Sequence, residues 1–406
     1  MYLNFAWRYF KAKKSANAIN IIAWVTAGVI AFATSCQILV LSVFNGFEDL
    51  VKSMYSSFYS DIKIIPSSGK TFIITHLQSN EIKKIKGVDA VSFIAEEKAL
   101  LQNGPAQSVI QLKGVDSNFY KVSGLTTKIT EGTFKIGDAD NPKAVLGIGV
   151  QYATGINLDP ALNLEETTVI LPKWNVQSND PLTSLSEGVI TPSGIFTIQQ
   201  EFDNSYAVTN IDFVKQQMGI ADNSFSSVEI KLNPNADEDK IRKSIQKLLG
   251  GNYVIQSRYE QNASLYRTMK LEKWIIYAVL TLILVIAAFN MISALTMLVL
   301  EKKQDISILQ SMGASNHQVK KIFLSEGLLL GVIGSVIGIS LALVICLLQI
   351  KFKFIKLQGG SFLIDYFPVK LLPADFLLVA ATAMAITILA SWLPAQKASQ
   401  QPILLR

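Results

Sequence analysis

Only 2 of the 406 residues are cysteine and only 2 are histidine. Cys36 and Cys346 both fall inside long apolar runs, so a disulfide framework is excluded and both are read as small polarizable packing residues. His76 and His317 are far apart, in no metal-ligand spacing, and neither H-E-x-x-H nor G-x-S-x-G occurs, which argues against a zinc or serine hydrolase. They are read as solvated or cap-forming side chains. A G-x-x-x-x-G-K-[ST] phosphate loop is also missing, so any ATP-driven work must be powered by another chain. Charge is scarce as well, at 17% of residues against about 25% in soluble domains. It is absent from Ser15 to Phe47, Trp274 to Leu300, Gly327 to Ile350 and Phe376 to Gln396. Each run reaches the roughly 20 residues that cross a bilayer core, so four spans are expected. No acid or base lies deep within a span, which removes the usual mark of an ion-coupled carrier. Catalytic and metal-binding residues are expected to be absent.

The charges that are present sit in particular places. The net charge is +6, yet residues 48–273 hold 23 Lys/Arg and 26 Asp/Glu, so the basic excess flanks the spans, where it meets lipid headgroups rather than nucleic acid. Arg8, Lys11, Lys13 and Lys14 precede the first span with no acid among them. This favours cytoplasmic N- and C-termini and an outer location for residues 48–270. The short loop 351–374 opposes the rule, since the stretch to Asp375 carries four lysines. Residues 1–18 interleave these cations with Tyr2, Phe5, Trp7, Tyr9 and Phe10. That pattern suits a helix lying in the cytoplasmic interface, or an ordinary aromatic and basic flank. Ala33-Thr34-Ser35-Cys36 has the look of a lipoprotein cleavage box, but the apolar run continues to Phe44, too far for a cleaved signal.

The outer domain reads as mixed α/β. DIKII (61–65), TFIIT (71–75), VSFIA (91–95) and SVIQLKGV (108–115) have strand character, with a short helix at SNEIKKIKG. SVEIKL (227–232) is followed by a segment in which Ile241, Ile245, Leu248 and Leu249 repeat at helical spacing before Gly250, then by NYVIQS. These two pieces, 48–116 and 227–270, are expected to form a membrane-proximal lobe. The insert 117–226, with AVLGIG, TTVILP, GIFTIQ and SYAVTN, would form a distal lobe. Between Pro172 and Pro192 runs a long loop carrying Trp174 and Pro181, a length found in functional and in disordered loops alike.

Two features of the second half stand out. Gly327, Gly331, Gly334 and Gly338 share one face of the third span, a stripe for close helix packing within the chain or across a dimer. Ahead of it lies QDISILQSMGASNHQVKKIF (304–323). Asp305 to Met312 makes about two turns with Ile306, Leu309 and Met312 pointing one way. Gly313 suits a left-handed stop, and Ser315 with Gln318 forms a capping box for the next helix. The elbow is either a charged connection or a lever that converts a push into tilt of the third span.

DISILQSMGAS followed by a glycine-striped span resembles the carboxy-terminal signature of mechanotransmission ABC transporter permeases, the FtsX/MacB-like superfamily. VLSVFNGFEDLVKS (40–53), YRTMKLEKWIIYAVLTLILVIAAFNMISALTMLVLEK (266–302), SGIFTIQQEFDNSYAVTN (193–210) and SWLPAQKAS (391–399) narrow the resemblance to lipoprotein-releasing permeases of the LolC/LolE type. It implies a membrane α plus extracytoplasmic α/β fold, with four transmembrane helices and a large two-lobed periplasmic domain between spans 1 and 2. The expected divisions are spans at 19–47, 271–300, 323–350 and 375–396, a coupling elbow at 301–322 and a cytoplasmic tail at 397–406. The resemblance implies an inner-membrane permease that extracts acylated lipoproteins from the outer leaflet and passes them to a periplasmic carrier. ATP and Mg would bind only a partner ATPase, leaving this chain without a cofactor, and a second permease, identical or related, would complete the pore. Asp305, Ile306, Leu309, Met312 and Gly313 would couple to the ATPase. Asn45, Gly46, Phe47, Glu48, Met269, Glu272 and Lys273 would border the lipoprotein entry. Trp174 and Pro181 would contact the carrier if the chain plays the LolC-like role, and LolE-like permeases lack that hook. Two other readings share the architecture: an efflux permease for a periplasmic substrate, and a signalling permease controlling a cell-wall hydrolase.

Overall fold

The computed structural model describes residues 17–159, 162, 165–174, 184–357 and 364–400, with side chains from residue 21. The expected interfacial helix up to residue 16, Pro181 with the centre of its loop, and the tail beyond residue 400 lie outside the described residues. The chain divides into two compact units, Val51–Tyr266 and the segments Met1–Leu50 with Arg267–Arg406.

The first helix, α1 (Asn17–Phe58), is 42 residues long and carries no charge before Glu48. Beyond it the sheet unit begins with β1 (Ile62–Pro66), β2 (Phe72–Ile73), α2 (His76–Lys84), β3 (Val88–Asn103), β4 (Ala106–Val115) and α3 (Phe119–Val122). It continues with β5 (Ile129–Gly132), β6 (Lys143–Gly147), α4 (Ile148–Thr154), β7 (Thr167–Pro172), β8 (Leu185–Val189) and β9 (Thr191–Phe196). It ends with α5 (Gln200–Asp203), β10 (Tyr206–Asn210), α6 (Ile211–Met218), β11 (Ser224–Phe225), β12 (Ser227–Leu232), α7 (Glu238–Leu249), β13 (Tyr253–Ser257) and α8 (Arg258–Gln261).

Among the described residues, eleven strands form one mixed sheet, ordered β13-β1-β12-β3-β4-β10-β6-β9-β5, with β7 on β3 and β8 on β7. The pairs β4 with β10 and β6 with β9 are parallel. The two sequence pieces expected to meet do so, β1 lying between β12 and β13. Local chemistry sets the helices. Thr75 and Gln78 form a reciprocal capping box at α2. In α7, Asp237 caps the first turn, Glu238 and Asp239 lead, Ile241, Ile245 and Leu249 face inward, and Gly250 stops the helix at φ 83°.

The division of cores differs from the expected one at residue 116. One core gathers β1, β12, β13, α2 and α7. The next draws Ala95, Ala99, Leu101, Ile110 and Leu112 of β3 and β4 into the insert's own core with Val169, Val214 and Met218. Because β3 is 16 residues long, one strand serves both lobes, and the boundary crosses it rather than falling between segments.

A third core encloses Tyr55 and Phe58 at the end of α1 with Phe119, Phe196 and Phe202. Into it projects Lys113, 2% exposed. Its Nζ lies 4.9 Å from the Phe58 ring and 5.0 Å from Phe119, and donates to Glu229 Oε1 at 2.7 Å. The carboxylate and the aromatic faces replace part of the water this ammonium gives up. Alongside, burial and then the Glu201 carboxylate push the Tyr59 phenol up to about 12, so it stays neutral at physiological pH.

The remaining unit adds α9 (Ala263–Glu301), α10 (Lys303–Ser311), α11 (Asn316–Phe352) and α12 (Pro373–Ser399). Among the described residues, α1, α9, α11 and α12 are the four helices long and apolar enough to cross a membrane. The glycine stripe of α11 is used within the chain. A Cβ on Gly327 would lie 2.3 Å from Ser391 Cβ, and one on Gly331 2.5 Å from Thr387 Oγ1, both on α12. One on Gly334 would meet Ala27 O at 2.8 Å, and one on Gly338 Ala31 O at 2.4 Å, both on α1. Successive glycines thus let two different helices approach α11 backbone to backbone.

Gly338→Ala is therefore expected to lower the thermal unfolding temperature of the detergent-solubilised protein, since overpacking a tight contact costs about 1–3 kcal/mol. Gly28→Ala is the control, because a Cβ there meets nothing within 4 Å. Equal unfolding temperatures for the two variants would contradict this packing.

Candidate functional site

The end of the bundle at which α1 passes toward residue 51 and α9 returns is built around one polar node. Asn45, 2% exposed, is held in α1 so that its Nδ2 donates to Asp375 Oδ2 of α12 at 2.5 Å. Its Oδ1 accepts from Lys273 Nζ of α9 at 2.8 Å. Lys273 also pairs with Asp375 Oδ1 at 3.2 Å. One amide thus bridges both members of an ion pair, and three helices are joined by groups that each satisfy another.

The segment leading into α12 closes over this node. A Cβ on Gly46 would lie 2.3 Å from Pro368 O, so only glycine admits this backbone. Phe47 meets Phe367 edge to face at 5.9 Å. Lys370 N donates to Ser42 O at 3.0 Å, and its ammonium pairs with Asp49. From α11, the buried Gln349 holds the connecting chain by donating to Ile355 O and Phe367 O, each at 3.1 Å. Further along the same three helices, Gln37 Nε2 donates to Thr281 Oγ1 at 3.1 Å, and the Tyr277 and Thr382 hydroxyls share a hydrogen bond.

Of the residues expected at a lipoprotein entry, the structure brings Asn45 and Lys273 together and packs Gly46 and Phe47 beside them. Glu48 and Met269 are half-buried and Glu272 is exposed. Sequence reasoning missed Asp375, although a signal existed. Asn45 lies near the end of the first uncharged run, Lys273 precedes the second and Asp375 precedes the fourth, so topology alone places all three at one end of the bundle. It also missed Glu326, which sits inside α11, 2% exposed, with Oε2 lacking a hydrogen-bond partner among the described residues.

At the opposite end of the bundle lies the elbow. One residue, Lys302, separates α9 from α10 and pairs with Asp305 at 3.3 Å. Gly313 turns the chain at φ 95°, and Ala314 N closes onto Leu309 O at 3.0 Å. Ser315 and Gln318 then cap α11 reciprocally. The single apolar face expected for Ile306, Leu309 and Met312 is divided. Ile306 is buried against Leu298, Val319, Phe323 and Ala395, Leu309 is half-buried, and Met312 is 79% exposed. The apolar surface left free is Ile308 and Met312, and Ile306 anchors the elbow to the bundle.

Trp174 does not project from its loop. Its indole donates to Glu97 Oε2 at 3.0 Å, its backbone N–H to Met218 O at 3.0 Å, and Lys70 pairs with the same carboxylate at 2.8 Å. It fastens the root of the loop whose centre lies outside the described residues. Among the described residues no cluster of His, Cys, Asp or Glu could hold a metal.

Breaking the node from one side strands a charge. Lys273→Met is expected to destabilise the bundle by about 1.5–3 kcal/mol, the range for a hydrogen bond to a charged partner, read as a lower unfolding temperature in detergent. Lys273→Met combined with Asp375→Leu removes both charges and should recover much of the loss. A double variant as unstable as the sum of its singles would refute the coupling.

Comparison with known proteins places this architecture. Residues 23–248 match the MacB-like periplasmic core domain and residues 277–403 the FtsX-like permease C-terminal family. The lipoprotein-releasing system transmembrane protein LolE of Haemophilus influenzae is 25% identical over 97% of this chain and 96% of its own length. LolC of Neisseria meningitidis is 26% identical over 97% and 95%. Among solved structures, the periplasmic region of MacB from Actinobacillus actinomycetemcomitans aligns with 55% of this chain and 98% of its own, at 14% identity and a TM-score of 0.36. The extracellular domain of the transporter YknZ from Gram-positive bacteria covers 48% and 99%, at 14% and 0.32. The chain is a membrane protein with a periplasmic domain, and it belongs to the ABC transporter permeases with a MacB-like periplasmic core, here followed by an FtsX-like permease C-terminal region.

Proposed function

We propose that this chain is the permease subunit of a transporter that draws acylated lipoproteins out of the outer leaflet of a bacterial inner membrane and passes them to a periplasmic carrier. The observation that carries the reading is the similarity to LolE and LolC along 97% of the chain, which spans the periplasmic core, all four long helices and the elbow together. On this reading the termini are cytoplasmic and the exposed Ile308 and Met312 of the elbow seat on a separate ATPase, which alone binds ATP and Mg. The chain itself takes no cofactor, and a second permease, identical or related, completes the pore.

The physics sets the demand. An acyl anchor loses about 0.8 kcal/mol for each methylene drawn from the bilayer, so release needs external work. Work delivered at the elbow travels along α11, a helix capped at Ser315 and unbroken to Phe352. Because α11 packs on α1 and α12 through the glycine stripe, tilting it loads the Asn45–Lys273–Asp375 node. That node joins α1 to α9, the two helices beside which the anchor would leave.

Two measurements test this. Purification from native membranes in mild detergent without ATP, followed by mass spectrometry, should recover an ABC ATPase together with acylated lipoproteins. An ATPase with a wall hydrolase and no lipoprotein would assign the chain to signalling instead, and recovery without any ATPase would refute the elbow's role. Met312→Asp should abolish recovery of the ATPase while leaving the unfolding temperature of the isolated chain unchanged, since that side chain is 79% exposed.

A further inference from the structure

Where α11 ends, six consecutive residues interleave cations with apolar side chains: Lys351, Phe352, Lys353, Phe354, Ile355 and Lys356. All six are exposed. The uncharged run from Gly327 to Ile350 reaches the roughly 20 residues that cross the hydrocarbon core, so Lys351 stands where the core gives way to headgroups. By chain topology α11 ends on the same side of the membrane as α1, the periplasmic side. Short loops there are ordinarily poor in lysine. Neither the Asn45 node nor the elbow makes use of these three cations.

The backbone holds this stretch in one form. Besides the two hydrogen bonds it donates, the buried Gln349 accepts from Ile355 N at 3.0 Å. Phe367 N donates to Ile355 O at 3.1 Å, and Leu357 N to Asp365 O at 3.0 Å. Lys353, at φ 50°, is the one non-glycine residue with positive φ among the described residues, at a helix end where glycine is the unstrained choice. A lysine kept there points to a use for its side chain. The charges are also left open. At the same end of the bundle Lys273 and Lys370 are paired with Asp375 and Asp49, whereas Lys351, Lys353 and Lys356 have no carboxylate partner among the described residues. Lys353 Nζ lies 4.0 Å from the Tyr366 ring and Lys351 Nζ 5.5 Å from the Phe352 ring, contacts that steady a cation without neutralising it. Residues 351–374 contain a single acid, Asp365, so at most one of the three charges is offset.

We propose that residues 351–356 bind an anionic phospholipid of the periplasmic leaflet, Lys351, Lys353 and Lys356 meeting its phosphate headgroup while Phe352, Phe354 and Ile355 enter the acyl boundary. Phe352 is 63% and Phe354 54% exposed, and exposed rings between cations suit the depth at which headgroups meet acyl chains. Lysine stems follow apolar surface while their ammonium groups reach outward to phosphate. A zwitterionic headgroup already carries a cation beside its phosphate, so the excess positive charge selects the anionic lipid. A second copy of this chain would bring like charges face to face, which disfavours it as the occupant. The inference uses the membrane-spanning unit alone and stands apart from the reading of function above.

The test uses the full chain in mild detergent, titrated with phosphatidylglycerol or phosphatidylcholine and read by native mass spectrometry. Phosphatidylglycerol is expected to bind more tightly. Lys351→Gln, Lys353→Gln and Lys356→Gln together should weaken it about tenfold and leave phosphatidylcholine unchanged, whereas arginine at the same three positions should keep the preference. The control is Lys84→Gln, Lys243→Gln and Lys247→Gln, three exposed lysines of the other unit, which should change neither lipid. If the first variant does not fold, Lys351→Gln with Lys356→Gln leaves the strained position untouched and should still weaken phosphatidylglycerol severalfold. Equal affinity of the native chain for the two lipids, an unchanged affinity in the glutamine variant, an equal loss for both lipids, or the same loss in the control would each overturn the proposal. Loss of a dimer with lipid affinity intact would assign the stretch to contact between copies and overturn it as well.

Discussion

A lysine and an aspartate cannot be left near the hydrocarbon of a bilayer unless each finds a partner, and Asn45 is the residue that lets one arrangement satisfy both. Its amide offers a donor to Asp375 and an acceptor to Lys273, a complementarity no single charged or apolar side chain provides. Much of this end of the bundle follows from that choice. Helices α1, α9 and α12 must converge in one register for the three groups to meet. The backbone of Pro368 must come within reach of Gly46, and Gln349 must hold the chain between α11 and α12 in place. The fully polar solution also gives these contacts a property that apolar packing lacks. They are directional, so a modest helix rotation breaks them together rather than by degrees.

The opposite end of the bundle solves a different problem, that of making a short connection stiff. Four devices act within about 15 residues: the Lys302–Asp305 pair, the Ile306 anchor in the bundle core, the positive φ of Gly313 and the Ser315–Gln318 box. With those in place α10 is held at both ends, by the Lys302–Asp305 pair and by the closed turn at Gly313. A load applied at Met312 would pass into α11 rather than be lost in loop motion. The glycine stripe then couples α11 to α12 at Gly327 and Gly331 and to α1 at Gly334 and Gly338. Division of one stripe between two neighbours means that movement of α11 is felt by both.

The architecture was legible because its signals are one-dimensional. Four uncharged runs give four long helices, period and caps give α7 and the elbow, and strand character gives β1, β4, β7, β10 and β12 near their observed ends. What escaped needed distances across the chain. Asp375 looked like an ordinary flank until Asn45 was found opposite it, 330 residues away. Ile306 and Met312 looked alike by helical spacing, yet the presence of Val319 and Ala395 beside one of them decides which is buried. The lobe boundary was placed by segment order, and the length of β3 overrode it, because a 16-residue strand reaches from one core into the next.

Two paired lysines, one in each unit, show how the surroundings decide what a charge needs. Lys273 is a quarter exposed, so water can complete its shell, and one amide with one carboxylate suffices. Lys113 is 2% exposed, and its single hydrogen bond, to Glu229, leaves the remaining ammonium hydrogens with only the faces of Phe58 and Phe119. Glu229 Oε2 meanwhile has no partner among the described residues. A pair so incompletely satisfied is a poor source of stability compared with apolar residues of the same size. What it does supply is register. Lys113 sits on β4 and Glu229 on β12, two strands separated by β3, and the pair forms only when all three align and the end of α1 brings Phe58 over them. The sheet and the last turns of the first helix are thereby fixed against each other by a contact that no slipped arrangement can reproduce.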